Sequence, residues 1–91
     1  MEWLWDSRKA AANVAKHDVL FETAAAALDD AFLISEPDLH RDDDRWRTIA
    51  RLNVSTFLIV HTVIDEHGAG RIISARKASS MERKAYENQF H

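Results

Sequence analysis

The sequence predicts an α+β fold, an antiparallel β-meander packed by two N-terminal helices and one C-terminal helix. Three observations carry the expectation: apolar residues at helical spacing up to residue 28, a period of two from residue 45 onward, and a helix-capping signature at Ser79. The 91 residues are 46% hydrophobic and 30% charged, with two glycines and one proline. That composition suits a single domain over residues 1–91, with one core and no room for a nucleotide-binding unit beside a substrate domain. The absence of cysteine excludes a disulfide scaffold, a Cys-rich zinc site and a thiol nucleophile.

Glu2 to Trp5 alternates and reads as a short strand. Asp6 or Ser7 offers an N-cap for a helix running to about His17, whose apolar stripe is Ala10, Ala11, Val14 and Ala15. Asp18 is the expected terminator, because Asp tolerates a left-handed backbone better than most residues. Phe21, Ala24, Ala25 and Leu28 mark a second helix, and Asp29-Asp30 oppose its dipole at the end. Ala31 to Ile34 is a strand candidate, and Ser35 to Asp44, with Pro37 and a run of acidic residues, reads as a solvated loop. In Arg45–Leu52, Trp46, Ala50 and Leu52 point one way and Arg45, Arg47 and Arg51 the other. Asn53-Val54-Ser55 is a turn, and Thr56–Ile64 is β-branched enough for a central strand. After a glycine-bearing connection, Arg71–Arg76 is the next strand, with Arg71, Ile73 and Ala75 on one face and Ile72, Ser74 and Arg76 on the other. Ser79 and Glu82 form a capping box for the last helix. All three helices are expected on one face, as a two-layer sandwich.

Motif-dependent catalytic templates are missing: there is no Gly-rich phosphate loop, HExxH, GxSxG or EF-hand spacing. The five histidines form no ligand cluster, and Asp42-Asp43-Asp44 lacks the fixed geometry that Mg²⁺ demands, so neither a metal nor another cofactor is expected. His61 reads as a satisfied strand residue; His40, His67 and His91 read as solvent-facing. No apolar run reaches the roughly 18 residues of a membrane span, and no signal peptide is apparent, so a cytoplasmic protein without membrane contact is expected. Residues 1–44 hold four basic and eleven acidic side chains, residues 45–91 eight and four. The acidic half opposes free-standing nucleic-acid binding, while the basic half allows a small anionic site.

That site is suggested by arginines. Arg45, Arg47 and Arg51 share one strand, Arg71 and Arg76 another, and Lys77, Arg83 and Lys84 follow. Converging guanidinium forks can neutralise a phosphorane-like transition state without a metal. The alternative is that these arginines pair with helix carboxylates or sit on a solvated sheet face.

At these residues the sequence resembles the BrnT family of bacterial type II toxins. The first segment, WDSRKAAANVAKHDVLF, matches at Trp5, Asp6, Lys9, Asn13, Lys16, His17, Val19 and Phe21. The second, RIISARKASSMERKAYE, matches at Arg71 through Arg76, Ala78, Glu82, Arg83 and Tyr86. Asp18 and Ala50 stand where the family usually carries glycine. The resemblance implies a RelE-like fold, a growth-arresting ribonuclease, and neutralisation by a BrnA-type antitoxin whose ribbon-helix-helix domain binds operator DNA. A toxin dimer within that complex is also implied. For a metal-independent ribonuclease using the RNA 2′-OH, the expected catalytic residues are His17, Arg51, Arg76 and Tyr86, and the expected substrate-binding residues are Lys16, Arg45, Arg47, Arg71 and Arg83. His17 is the candidate acid or base, and Tyr86 adds a hydrogen bond or a proton. The residues leave rival roles open: Arg76 pairing with Glu82, Tyr86 packing on the sheet, Asn13 tying its helix to a loop, and Trp3, Trp5 and Trp46 filling the core. A non-catalytic module acting as corepressor with its antitoxin is the alternative for the whole chain.

Overall fold

The computed structural model describes residues 2–38 and 44–91. His40, Asp42 and Asp43, expected in an acidic loop, lie outside them. The elements run β1 (Glu2–Leu4), α1 (Ser7–His17), α2 (Phe21–Ala27), β2 (Ile34–Pro37), β3 (Arg45–Leu52), β4 (Ser55–Thr62), β5 (Ala69–Lys77) and α3 (Ser80–Asn88). No helix among the described residues is long and apolar enough to cross a membrane.

The helix ends follow side-chain chemistry. Asp6 caps α1 by accepting from the Arg8 and Lys9 amides at 2.7 and 3.3 Å. Asp18 closes it in the left-handed conformation, φ 57°, its N–H on Val14. α2 stops at Ala27, short of the expected Asp29-Asp30, because Asp30 turns back to accept the Phe32 amide at 2.9 Å. Residues 31–33 are consumed in that turn, so β2 begins at Ile34 and occupies part of the expected loop. Its Ser35, Glu36 and Pro37 are exposed on an edge strand, where a proline costs no ladder bond.

The sheet order is β1-β5-β4-β3-β2. β2 through β5 form the expected antiparallel meander, but β1 joins β5 in parallel, making the sheet mixed. Gly70 permits this pairing, since a Cβ there would lie 2.6 Å from the Trp3 ring. A bulge at Val60/His61 shifts the phase of β5: Ile72 and Ala75 both enter the core, against the simple alternation expected of them.

One face of the sheet, with Ala50, Phe57, Ile59, Ile72 and Ala75, packs on Val19, Phe21, Ala24, Ala27 and Leu28 of the α1–α2 region. Trp3 and Trp5 pack against this cluster, whereas Trp46 is half-buried opposite Pro37. The other face is not left bare. Ile49 and Leu58, a cross-strand pair on that side, lie with Met81 and Ala85 of α3 around one groove. The expected two-layer sandwich is therefore corrected to helix layers on both faces, because both faces of β3 and β4 carry apolar side chains that must leave water.

Two buried polar groups tie the elements together. Asn13 donates to the carbonyls of Val19 (2.9 Å) and Ala75 (2.8 Å) and accepts the Ala75 amide (3.1 Å). It thereby pairs the edge of β5 as a neighbouring strand would. His61 donates from Nδ1 to the Thr62 carbonyl at 2.8 Å; its Nε2 then accepts from Thr48, which accepts in turn from Ser35, each at 2.6 Å. Burial pushes the His61 imidazole below its ordinary value, so the neutral form fits this chain. Asn13→Ala would orphan three backbone groups and is expected to lower stability by about 2–4 kcal/mol. A lower urea midpoint with an unchanged slope is the expected outcome.

Candidate active site

The arginines expected at the site divide among three places. Arg47, Arg51 and Arg76 lie on the α3 face with Tyr86. Arg47 and Arg76 reach the same carboxylate: Glu82 accepts from Arg76 at 2.8 and 2.9 Å through both oxygens, and from Arg47 at 3.5 Å. Arg47 also lies 3.7 Å from Glu36, its cross-strand neighbour. The Arg47 and Arg76 side chains are 38% and 37% exposed, and that of Glu82 16%. The Arg76 guanidinium holds the Glu82 carboxyl down at about 2, against the upward push of burial.

Beside this ion cluster lies a groove of about 290 Å³ between α3 and the sheet. Ile34, Ile49 and Leu58 give it an apolar floor, Met81 and Ala85 a wall, and Ser35, Glu36, Arg47 and Glu82 its polar groups. An apolar slot with a few convergent charged groups is the usual form of a small-ligand site.

Tyr86 is placed differently from a proton donor facing solvent. It is 2% exposed, and its hydroxyl donates to Asp30 at 2.6 Å. Burial and the Asp30 carboxylate push the phenol up to about 12. The Arg51 guanidinium lies 4.8 Å from its ring centroid and donates to the Thr56 hydroxyl at 3.3 Å. Tyr86 therefore fixes α3 and Arg51 rather than presenting an acid.

Lys16 and His17 line another, shallower groove, with Lys9, Asn13, Ile73 and Ser74 between α1 and β5. Arg71 lies at the opposite end of β5 from Arg76; its amide donates to the Thr62 hydroxyl, and Thr62 is the cross-strand partner of Arg45. Arg83 is exposed on α3. Arg71 and Arg76 are five positions apart along the strand, about 17 Å at the usual rise. The structure thus brings together Arg47, Arg51, Arg76 and Tyr86 and sets the others apart. Asp30 and Glu82, not among the expected site residues, join this group, and the capping-box spacing is the local sequence signal for Glu82. Among the described residues, no three of His, Asp and Glu are grouped as metal ligands.

A family model described as "Ribonuclease toxin, BrnT, of type II toxin-antitoxin system" matches residues 5–82. No curated protein matches the chain.

Two stability tests follow from this geometry. The folded Glu82 value of about 2 lies below the ordinary 4.5, so its ionised form stabilises the fold above about pH 4.5 and that contribution is lost as pH falls toward 2. Urea midpoints should fall less on acidification in Glu82→Gln than in the parent; equal losses would count against the pairing. Tyr86→Phe keeps the ring under Arg51 but removes the bond to Asp30, and should cost about 2 kcal/mol in chemical denaturation.

Proposed function

The chain belongs to the BrnT family of type II toxin–antitoxin ribonuclease toxins, and from this premise we propose that it cuts RNA on the α3 face of its sheet. The family also implies an antitoxin partner. The observation that supports this location is the convergence of Arg47 and Arg76, from two different strands, on one anionic position beside an apolar groove. Glu82 occupies that position at rest. A phosphodiester presents the same paired-oxygen geometry to guanidinium forks, and a nucleoside finds an apolar surface in the groove.

The reaction we infer needs no nucleophile from the protein. The RNA 2′-OH attacks the adjacent phosphorus, Arg47 and Arg76 neutralise the charge that builds on its oxygens, and Arg51 adds a cation farther along β3. Tyr86 holds Arg51 in place through its ring and through Asp30. Lys16 and His17 position the RNA strand where it crosses the β5 edge, and His17, in a groove apart from the arginine cluster, serves there as a contact and not as the acid or base. Arg45, Arg71 and Arg83 contact flanking phosphates, whose attraction is long-ranged and screened by salt. In this reading the chain is a single cytoplasmic domain and cleavage is independent of metal ions. A BrnA-type ribbon-helix-helix antitoxin neutralises it and supplies all contact with operator DNA. The toxin dimerises within that complex.

A second reading, a non-catalytic module, is favoured by one specific observation: both terminal nitrogens of Arg76 are already engaged by Glu82. Purified chain incubated with RNA in EDTA separates the two. Cleavage leaving 2′,3′-cyclic phosphate ends, reduced about a hundredfold in folded Arg47→Ala and Arg76→Ala variants, is the expected outcome. Intact RNA after incubation with the parent would favour the non-catalytic module.

A further inference from the structure

Glu82 is more than an ionic partner, and we propose that its carboxylate is the general base that takes the proton from the attacking 2′-OH. This rests on the ribonuclease reading and adds a catalytic residue to it. The two carboxylate oxygens have different partners. Oε1 accepts the Ser79 amide and one Arg76 nitrogen, both at 2.8 Å, and so performs the helix-capping role by itself. Oε2 takes no part in the cap: it holds the second Arg76 nitrogen at 2.9 Å and Arg47 at 3.5 Å, the limit of a hydrogen bond. The charged groups facing Glu82 are Arg76 from β5 and Arg47 from β3, with Glu36 of β2 beyond Arg47.

Arg47 and Arg76 are balanced by Glu82 and by Glu36, 3.7 Å from Arg47, so a phosphodiester enters this cluster by taking guanidinium donors from a carboxylate. A phosphate entering between Arg47 and Arg76 competes for the donors that hold Oε2. As the guanidiniums turn toward it, Oε2 loses its partners on the rim of an apolar groove, beside a new negative charge. Both changes raise its proton affinity from the depressed resting value. Substrate binding therefore creates the base at the atom next to the bound phosphate.

The step balances within the RNA. Oε2 accepts the 2′-hydroxyl proton, the 2′-oxygen bonds to phosphorus, and the bond from phosphorus to the 5′-oxygen breaks. The leaving 5′-oxygen takes a proton from water, and the Glu82 proton returns to solvent. The products are a 2′,3′-cyclic phosphate and a 5′-hydroxyl.

The test uses the whole chain and an unstructured oligoribonucleotide at saturating concentration, comparing the parent with Glu82→Gln and Ser79→Ala. Glutamine is also accepted at the third position of a capping box, so the first variant keeps the helix start. The second loses the Ser79 hydroxyl bond to the Glu82 amide and leaves the carboxylate intact. For Glu82→Gln the expected result is a kcat lower by about a hundredfold or more with KM unchanged or lower, because a neutral amide competes less with the phosphate for Arg47 and Arg76. The parent's kcat should fall tenfold per pH unit on its acid limb, and Glu82→Gln should lack that limb. Ser79→Ala should unfold at lower temperature and cut at close to the parent rate. The proposal is overturned if Glu82→Gln cuts like the parent, if the acid limb is missing from the parent or persists in the variant, or if Ser79→Ala is equally slow. A parent that leaves RNA intact defeats the ribonuclease reading itself, an outcome distinct from a cleaving parent with a cleaving glutamine variant.

Discussion

The Asp30 carboxylate is the joint on which the arrangement depends. Its Oδ2 accepts the Arg51 amide of β3 at 2.9 Å and the Tyr86 hydroxyl of α3 at 2.6 Å, while Oδ1 accepts the Phe32 amide. Burial pushes this carboxyl up, but those three donors and the Arg51 charge outweigh it, and the net displacement is below its ordinary value. One side chain thus ends α2, starts the turn into β2, and anchors α3 to the far side of the sheet. Phe90 adds an apolar clasp, its ring edge-on to both Phe32 and Tyr86. Without the joint, α3 would keep its capping box and its Arg76 pair at the N-terminal end but lose the hold on its C-terminal half.

What the sequence made legible was local. The alternation of Arg45, Arg47 and Arg51, the caps at Asp6 and Asp18, and the Ser79–Glu82 box depend only on residues within a few positions of one another. The parallel pairing of β1 was not legible, because a three-residue strand alternates in the same way beside either kind of neighbour. Nor was the phase of β5, since one bulged residue reverses every later assignment of faces. Asp30 looked like a helix stop because its partners, Arg51 and Tyr86, lie 21 and 56 residues away. The arginine cluster was legible as a composition and not as a place: Arg71 and Arg76 share a strand, yet only Arg76 reaches Glu82.

The opposed charges of the two halves also find their explanation in packing. Asp30 and Glu36 come from the acidic half and face Arg51 and Arg47 of the basic one. The fold therefore brings part of each imbalance together at the sheet, half-buried at Asp30, where pairing is worth more than on an open surface, and exposed at Glu36, where it is worth less. Lys9, Lys16, Lys77, Arg83 and Lys84 stay exposed around the periphery. A net charge of −3 is thus compatible with a locally cationic face, and the local field governs an encounter with a polyanion.

The pairing of Arg76 with Glu82 and a role in holding phosphate are not rival descriptions. A free arginine would lose side-chain entropy when it engaged a ligand, whereas a fork already fixed by two short bonds has lost much of it on folding. The resting ion pair costs affinity, because an incoming phosphate must displace a carboxylate. It also supplies orientation, because the displaced anion has held the donors at the spacing that a pair of phosphate oxygens requires. Arg47 is held less tightly, by two carboxylates at 3.5 and 3.7 Å, and turns more readily. A rigid fork beside a looser one suits a site in which an anion is first captured and then held while charge develops on it. The same exchange that seats the phosphate releases Glu82, so substrate capture and the appearance of a base are one event.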